Sequence, residues 1–134
     1  MLNSINVIGR LVRDPETKNV SGNYMASFTI ASDASYKGKD GNYVEKANFI
    51  PVTVWGNSAK WVKEKLSKGL LVCVSGSLES NTVEKEGRKA TYYNVRANLF
   101  GGVELLQKKE QAATNARAEV VEENNFYQQG SVSF

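Results

Sequence analysis

The sequence predicts an all-β barrel of five strands, with one helix between the third and fourth strands. Three observations predict it. Apolar and polar residues alternate over five segments, which is the period of a half-buried strand. Turn signals rich in glycine, asparagine and aspartate separate those segments. One segment instead carries Ala59, Val62 and Leu66 at the spacing of a helix face.

The first part of the chain contributes two strands and their connections. Alternating aliphatic and polar residues predict strands over residues 5–12 and 24–33. Turn-forming residues predict turns at residues 14–16 and 21–23. Residues 37–42 contain two glycines and two lysines. They predict an exposed loop before the next strand.

A third strand is predicted over residues 44–55, and the helix follows it. Asn57 or Ser58 is placed to cap this helix, and Gly69 lies where a helix commonly stops. A fourth strand is predicted over residues 70–78. The helix therefore lies between the third and fourth strands.

The last predicted strand completes the set. Residues 86–88 predict a hairpin tip and residues 92–106 the fifth strand, with Leu78 and Leu99 expected on core faces. Five strands with a helix between the third and fourth is the order of an OB-fold barrel. The same segments are also compatible with a small α+β sheet.

Length and composition limit the class of protein. The chain has 134 residues, 41 % of them hydrophobic, which suits one domain with a modest core. It has no histidine and one cysteine, Cys73, which excludes histidine-based catalysis, internal disulfides and zinc sites of clustered histidine or cysteine. The acidic residues form no acid–base pair, and no glycine-rich phosphate loop occurs. We therefore expect no enzymatic activity, no metal and no cofactor.

The chain shows no feature of a membrane or secreted protein. Its longest apolar run, residues 70–74, is far shorter than the roughly 20 residues of a membrane helix. The first residues lack the basic and apolar regions of a signal peptide. We expect a soluble intracellular protein.

The composition changes near Gln107. Residues 1–106 are rich in aliphatic and aromatic residues and carry 14 basic and 10 acidic residues, a net +4. Residues 107–134 carry 3 and 4, a net −1, and have few large apolar residues. We predict a folded domain over residues 1–106 and a disordered, flexible C-terminal tail over residues 107–134.

The third predicted strand has an unusual second face. Its even positions include Ile50, Val52 and Val54, which form a core face. Its odd positions should be polar, but Phe49 and Trp55 lie there, about 20 Å apart at a rise of about 3.3 Å per residue. The two rings either fill a second core or a subunit contact, or they form a platform on the surface.

Cations accompany these rings in the sequence. Rings interleaved with lysine and arginine suit single-stranded nucleic acid, because bases stack on rings while phosphates meet the cations. Double-stranded DNA gains little from such a platform, since its bases are already stacked. The predicted stacking residues are Tyr36, Phe49 and Trp55, and the predicted phosphate contacts are Lys37, Lys39, Lys46, Lys68, Arg88 and Lys89.

Five segments resemble, in the right order and at the right spacing, the bacterial-type single-stranded DNA-binding proteins. They include that family's Gly-Arg-Leu…Asp-Pro-Glu signature, its aromatic third strand and its "V-x-G-x-L" strand. The resemblance covers about residues 2–106. The matching segments are residues 6–16, 28–31, 49–56, 66–69 and 74–78.

The resemblance implies an OB-fold homotetramer that coats single-stranded DNA with little sequence preference in replication, recombination and repair. The stacking aromatics of the family carry over to Tyr36, Phe49 and Trp55. A fourth family aromatic falls at Val83, which cannot stack as a ring does. Pro51 lacks an N–H in mid-strand, which predicts an edge or a bulge there.

The end of the chain departs from the family pattern. The family commonly ends in an acidic tip with a terminal Phe that docks on replication and repair proteins. Here only Phe134 persists, so docking through it should be weak. This suits a phage, plasmid or accessory variant, located in the cytoplasm with the nucleoid, or in the host cytoplasm if a phage encodes it.

Two other functions stay open on the sequence. One is an OB-fold interaction protein, such as a primosome component of the same descent, with weak DNA binding. Val83 and the altered tail favour that alternative. The other is an enzyme, which the absence of histidine and the scattered acidic residues disfavour.

Overall fold

The computed structural model describes residues 1–107, which form nine strands and one helix. The predicted tail, including Phe134, lies outside the described residues apart from Gln107. The elements are β1 (Ile5–Leu11), β2 (Glu16–Val20), β3 (Asn23–Asp33), β4 (Tyr36–Lys37), β5 (Tyr43–Val44), β6 (Ala47–Trp55), α1 (Asn57–Lys65), β7 (Leu71–Lys85), β8 (Arg88–Ala97) and β9 (Val103–Leu105).

Five of these strands close into a ring. β1 pairs with β3, β3 with β6, β6 with β8, β8 with β7, and β7 returns to β1. The β6–β8 pairing is parallel and the other four are antiparallel. The ring strands correspond to the five predicted strands, and α1 lies between the third and fourth of them in the chain. This is the strand order of an OB-fold, as the sequence predicted.

The core lies inside the ring and beneath α1. Alternate residues of each ring strand are buried, and Val52 and Val54 of β6 are each only 1 % exposed. α1 adds Ala59 and Val62. Because side chains alternate across a strand, this burial forces the odd-numbered residues of β6 outward. The largest fully buried side chains are Ile30, Leu70, Val52, Val54, Val62, Val72 and Val74.

The ends of the helix differ from the prediction. Its N-cap is Gly56, at a φ of 72°, and neither Asn57 nor Ser58 caps it. The Ser58 hydroxyl instead donates to the Leu99 carbonyl at 2.9 Å, which ties α1 to the loop after β8. Gly69 has a φ of 89° and lies in the turn that follows the helix, beyond the C-cap residue and its neighbours.

The ends of the later strands also differ. Leu78 is exposed because it lies where β7 leaves the ring, and Leu99 is exposed because β8 already ends at Ala97. The chain turns through Gly101, at a φ of 67°, before the short β9. The predicted last strand is therefore two strands. β2 was not predicted, because its polar residues give no clear alternation.

Pro51 lies at an open edge of β6. The Thr29 carbonyl accepts the Val12 amide at 3.0 Å, so it points towards β1 and away from β6. Thr29 and Pro51 are therefore a non-hydrogen-bonded pair, and the nitrogen of Pro51 points away from β3. On that other side the register of β6 with β8 begins only at Val52. The expected edge position is confirmed.

β7 and β8 continue beyond the ring as a two-stranded ribbon. We call residues 80–93 the arm; every residue in it is exposed. Its register runs from Ser80 opposite Tyr93 to Lys85 opposite Arg88. The arm is therefore held by its own ladder and turn, while the ring is held by a core.

Candidate nucleic-acid interface

One continuous outer face runs across four strands. The pairings place Glu16 of β2 opposite Ser27 of β3, Ser27 opposite Thr53 of β6, and Thr53 opposite Arg96 of β8. Directly paired residues share a side of the sheet. These side chains therefore form one row, on the side away from the core. We call this side the outer face.

Trp55 lies in the next row of the outer face. The pairings align Lys18 with Met25 and Met25 with Trp55. The Arg96 guanidinium lies over the Trp55 ring, 5.8 Å from its centroid. This is the geometry of a cation–π contact, worth about 0.5–1 kcal/mol where solvent is near. Trp55 is thus partly buried, and Arg96 holds its ring in place.

Two polar features adjoin Trp55. The Glu79 carboxylate lies 3.5 Å from the Arg96 guanidinium, so Arg96 already forms an ion pair with one acidic side chain. The indole nitrogen of Trp55 is buried and has no acceptor among residues 1–107. An indole N–H usually finds a partner when buried. The indole N–H of Trp55 is therefore a hydrogen-bond donor with no acceptor among residues 1–107.

Phe49 stands at the other end of β6. Its side chain is 67 % exposed, although Val52, three residues further along β6 and on the inner side, is in the core. It is paired with Ala31, whose small side chain leaves the ring uncovered. The expectation that Phe49 and Trp55 share the outward side of β6 is therefore met. Between them lie Pro51 and Thr53.

A small hairpin presents Tyr36 near the Phe49 end. Tyr36 is 53 % exposed and pairs with Val44, and Lys37 pairs with Tyr43. The Lys46 amide donates to the Ser35 hydroxyl at 3.2 Å, which fastens the hairpin to the start of β6. Tyr36, Lys37 and Lys46 are thus gathered beside the first residues of β6.

Asp40 closes the tip of this hairpin. Its carboxylate accepts the Asn42 amide at 3.0 Å and the Asn42 side-chain amide at 3.2 Å. These hydrogen bonds hold the pKa of Asp40 below its ordinary value. Asp40 therefore stays ionised beside Lys39 and lowers the net positive charge of the tip.

The structure separates the two predicted cations of the arm. Lys85 pairs with Arg88 and Glu84 pairs with Lys89. Alternation along β8 places Arg88 on the same side as Arg96, hence on the outer face. Lys89 lies on the opposite side, across from Glu84. The predicted contact from Lys89 is therefore not placed with the rings.

Lys68 lies at the opposite rim of the outer face. Its backbone amide donates to the Asp14 carboxylate at 2.8 Å. Asp14 in turn lines an open groove of about 230 Å³ on the outer face, between the row of Ser27 and Thr53 and the neighbouring pair of Thr29 and Pro51. The residues that line it are Arg13, Asp14, Glu16, Ser27, Phe28, Thr29, Pro51, Val52 and Thr53. The Lys68 backbone is therefore anchored to one residue of this groove, although Lys68 is not among the residues that line it.

The sequence missed several residues of the outer face. Arg96 lies between the core residues Val95 and Ala97 in the predicted last strand, so alternation already directs it outward, but only the pairing of β8 with β6 brings it to Trp55. Lys18 belongs to β2, for which the pattern gave no signal. Arg13 follows the end of β1 and is brought to the groove only by tertiary folding.

The outer face offers rings and cations but no cluster of chemically reactive groups. Within residues 1–107, no three histidine, cysteine, aspartate or glutamate side chains are grouped to hold a metal. Over the same residues, no helix is long and apolar enough to cross a membrane. The surface is thus equipped for stacking and for binding anions.

Comparison with known proteins gives a consistent result. The model of the single-strand binding protein family matches residues 2–106. A single-stranded DNA-binding protein of Aquifex aeolicus is 35 % identical over 120 residues, which cover 89 % of this chain and 80 % of that protein. Single-stranded DNA-binding protein 1 of Clostridium acetobutylicum is 34 % identical, covering 83 % of this chain and 99 % of that protein.

A third relative extends the match. The single-stranded DNA-binding protein of Fusobacterium nucleatum is 31 % identical over 127 residues, covering 92 % of this chain and 82 % of that protein. The family match spans the whole closed ring, α1 and the arm. With the ring order and the aromatic outer face, these matches decide the family. The chain belongs to the single-strand binding protein family.

Proposed function

We propose that this chain binds and protects single-stranded DNA with little sequence preference, as a non-enzymatic coat in replication, recombination and repair. One observation carries the proposal. β6 buries Val52 and Val54 in the core and presents Phe49 and Trp55 outward, with Phe49 67 % exposed. Rings held on a strand face stack with any base, at about 1–3 kcal/mol per base.

The stacking residues of the proposal are Tyr36, Phe49 and Trp55. Tyr36 comes from the hairpin at one end of β6 and Trp55 from the other end. The rigid ring of strands fixes the spacing of Phe49 and Trp55. A single strand crossing the outer face along β6 would meet the three residues in turn. Thr53 and the groove between them leave room for sugar and phosphate.

Phosphate contacts come from the rims of the outer face. We assign them to Lys37, Lys39 and Lys46 at the Tyr36 end, to Lys68, whose backbone is hydrogen-bonded to Asp14, and to Arg88 on the arm. The net charge of the whole chain is only +3. Stacking therefore supplies more of the affinity than charge does. The salt dependence should be modest, near −0.7 in log–log slope for each phosphate neutralised.

The rest of the proposal concerns assembly and partners. We divide the chain into a DNA-binding domain over residues 1–106 and a C-terminal tail over residues 107–134, and expect Phe134 to dock weakly on replication or recombination proteins. A homotetramer follows from the family resemblance, and the exposed side chain of Ile8 on β1 supports a subunit contact. Light scattering during poly(dT) titration measures the mass and the stoichiometry together.

A second function is favoured by one observation. Val83 is exposed on the arm, where the family resemblance implies a ring. A chain that had lost stacking there could serve as an OB-fold primosome-type interaction component with weak DNA binding. The affinity for oligo(dT) separates the two functions, because only the coating protein needs tight binding.

The decisive experiment is a fluorescence titration of the full chain with oligo(dT). Stacking of a base on Trp55 should quench its emission, and Trp55→Phe should remove most of the quenching. Trp61→Phe is the matched control, because Trp61 packs against the core from α1. Saturable quenching that survives in Trp61→Phe supports DNA coating. Absence of both quenching and binding at micromolar protein would overturn the proposal.

A further inference from the structure

The arm has two distinct sides. Its register pairs Asn81 with Tyr92 and Val83 with Ala90 on one side, and Ser80 with Tyr93 on the other. Paired residues share a side, and successive residues alternate. The adjacent residues Tyr92 and Tyr93 therefore point in opposite directions.

Tyr92 belongs to the side that continues the outer face. Asn94, two positions along β8, donates from its side-chain amide to the Thr53 hydroxyl of β6 at 2.8 Å. Asn81, which pairs with Tyr92, donates to the Asn94 side-chain oxygen at 3.2 Å. This chain of hydrogen bonds joins the arm to the centre of the outer face.

Tyr92 is also free to receive a base. Its side chain is 62 % exposed, and its partner Asn81 is turned towards Asn94. Arg96, four residues further along β8, contacts the Trp55 ring. At about 3.3 Å per residue, Tyr92 is about 13 Å beyond Arg96 on the same side. Because β6 and β8 run parallel, the Tyr92 ring lies on the Phe49 side of Arg96, towards the tip of the arm.

Val83 lies next to Tyr92 on this side. Val83 pairs with Ala90, which is two residues from Tyr92 on the same strand, so Val83 and Tyr92 are diagonal neighbours. Such neighbours lie about 7–8 Å apart, within reach of an aromatic side chain. The small side chain of Ala90 leaves space there. Val83 and Ala90 thus form a small apolar surface beside the Tyr92 ring.

We infer that Tyr92 supplies a fourth stacking contact for single-stranded DNA, from the strand opposite Val83. The inference rests on the proposed function and extends it along the arm. A strand that has followed β6 to Trp55 turns back along β8, passes Arg96 and stacks a base on the Tyr92 ring, beside Val83 and Ala90. Val83 has no ring of its own, so the stacking contact on this side of the arm comes from the neighbouring strand.

Tyr93 provides a matched control. It has the same chemistry, a similar exposure of 59 % and an adjacent position in the same strand, but it lies on the other side of the arm. Any general effect of replacing an exposed tyrosine in β8 should appear equally at both residues. A difference in DNA affinity between the two variants therefore measures the contribution of the outer face alone.

The experiment compares Tyr92→Leu and Tyr93→Leu in the full chain. Leucine keeps an apolar side chain of similar size but has no ring to stack. We expect Tyr92→Leu to weaken oligo(dT) binding about tenfold, since one stack is worth about 1–3 kcal/mol and tenfold is about 1.4 kcal/mol. Tyr93→Leu should stay within about twofold, and so should Tyr92→Phe. Circular dichroism verifies that each variant is folded.

A second variant tests directly whether an aromatic side chain on either strand of the arm can supply this stacking contact. Val83→Trp in the Tyr92→Leu background returns a ring to the neighbouring position and should recover most of the lost affinity. Equal losses in Tyr92→Leu and Tyr93→Leu, or no loss in either, would overturn the inference. If Trp55→Ala still weakens binding in that case, the proposed function stands. If the unaltered chain does not bind oligo(dT), the proposed function fails as well.

Discussion

β6 and the arm both carry aromatic side chains on strands, but different forces direct them. In β6, Val52 and Val54 are anchored in the core, so Phe49 and Trp55 must point outward. A slip of one residue would bury a proline and a threonine in place of two valines. In the arm neither side is buried. Burial therefore fixes the rings of β6 but not those of the arm.

The arm depends on its turn and its polar ladder instead. Glu86 and Gly87 have φ values of 52° and 76°, and together they join Lys85 to Arg88 in a two-residue hairpin. Positive φ at both positions is the mark of a type I′ turn, which fixes the register of the two strands. A stacking surface can therefore be positioned either by a core or by a turn. The surface of the arm, which depends on a turn, should be easier to disturb than that of β6.

The largest effect is expected where the ring closes. A Cβ at Gly76 would lie against the Arg96 carbonyl, at the point where β7 passes from β1 to β8. Gly76→Ala should lower the free energy of unfolding by about 3 kcal/mol, the upper range for overpacking. Ser80→Ala in the arm should change it by less than about 0.5 kcal/mol. Urea unfolding measures both, and equal values would remove the contrast between ring and arm.

The next largest effect is expected on DNA affinity, with little effect on stability. Phe49→Ala should weaken oligo(dT) binding by about 1–3 kcal/mol, because it removes one stacking ring. The melting temperature should hardly change, since the ring is exposed and contributes little to the core. Fluorescence titration and thermal denaturation of the same sample test the pair of expectations. If Phe49→Ala unfolds the protein, then Phe49 belongs to a core and the prediction is wrong.

The two cations of the arm, Arg88 and Lys89, lie on opposite sides of it and should differ in their effect on binding. Arg88→Gln should make the log–log salt slope shallower by about 0.7, the value for one phosphate on a single strand. Lys89→Gln should leave the slope unchanged, because Lys89 lies across from Glu84 on the other side. Titrations at several salt concentrations give both slopes. A larger change for Lys89 would place the DNA on the opposite side of the arm.

A smaller effect is expected where the arm joins the ring. Glu79 lies 3.5 Å from the guanidinium of Arg96 and competes with phosphate for it. Glu79→Gln should tighten oligo(dT) binding about threefold and steepen the salt slope by up to about 0.7. Glu84→Gln is the control, because it removes the same charge on the other side of the arm. Unaltered affinity in Glu79→Gln would mean that Arg96 serves Trp55 alone.

The smallest effect tests the turn. Glu86 is a non-glycine residue at positive φ, and asparagine is favoured at this position of a type I′ turn. Glu86→Asn should stabilise the arm by about 0.5 kcal/mol and slow amide hydrogen exchange in residues 80–93. Exchange within the ring should not change. Faster exchange in the arm would show that its register does not depend on this turn.

The sequence determined the features that depend on near neighbours in the chain. The alternation in β6 predicted both the buried Val52 and Val54 and the outward Phe49 and Trp55, because side chains alternate whatever the partner strand. The helix was predicted for the same kind of reason. Its cap was not, because Ser58 bonds to Leu99, which lies 41 residues away.

Only the tertiary structure decided which side chains share the outer face. Arg96 joins this face because β8 pairs with β6, and Lys18 is aligned with Trp55 only because its hairpin partner Met25 pairs with Trp55. Tyr92 is attached to it through Asn94, whose side chain donates to Thr53. The sequence pattern does not reveal which strand lies beside which. Closing the ring selects those pairings, since all five strands must bury one side at once. Alternation within one strand therefore predicts which way each aromatic side chain points, whereas closure of the five strands determines which side chains lie next to it.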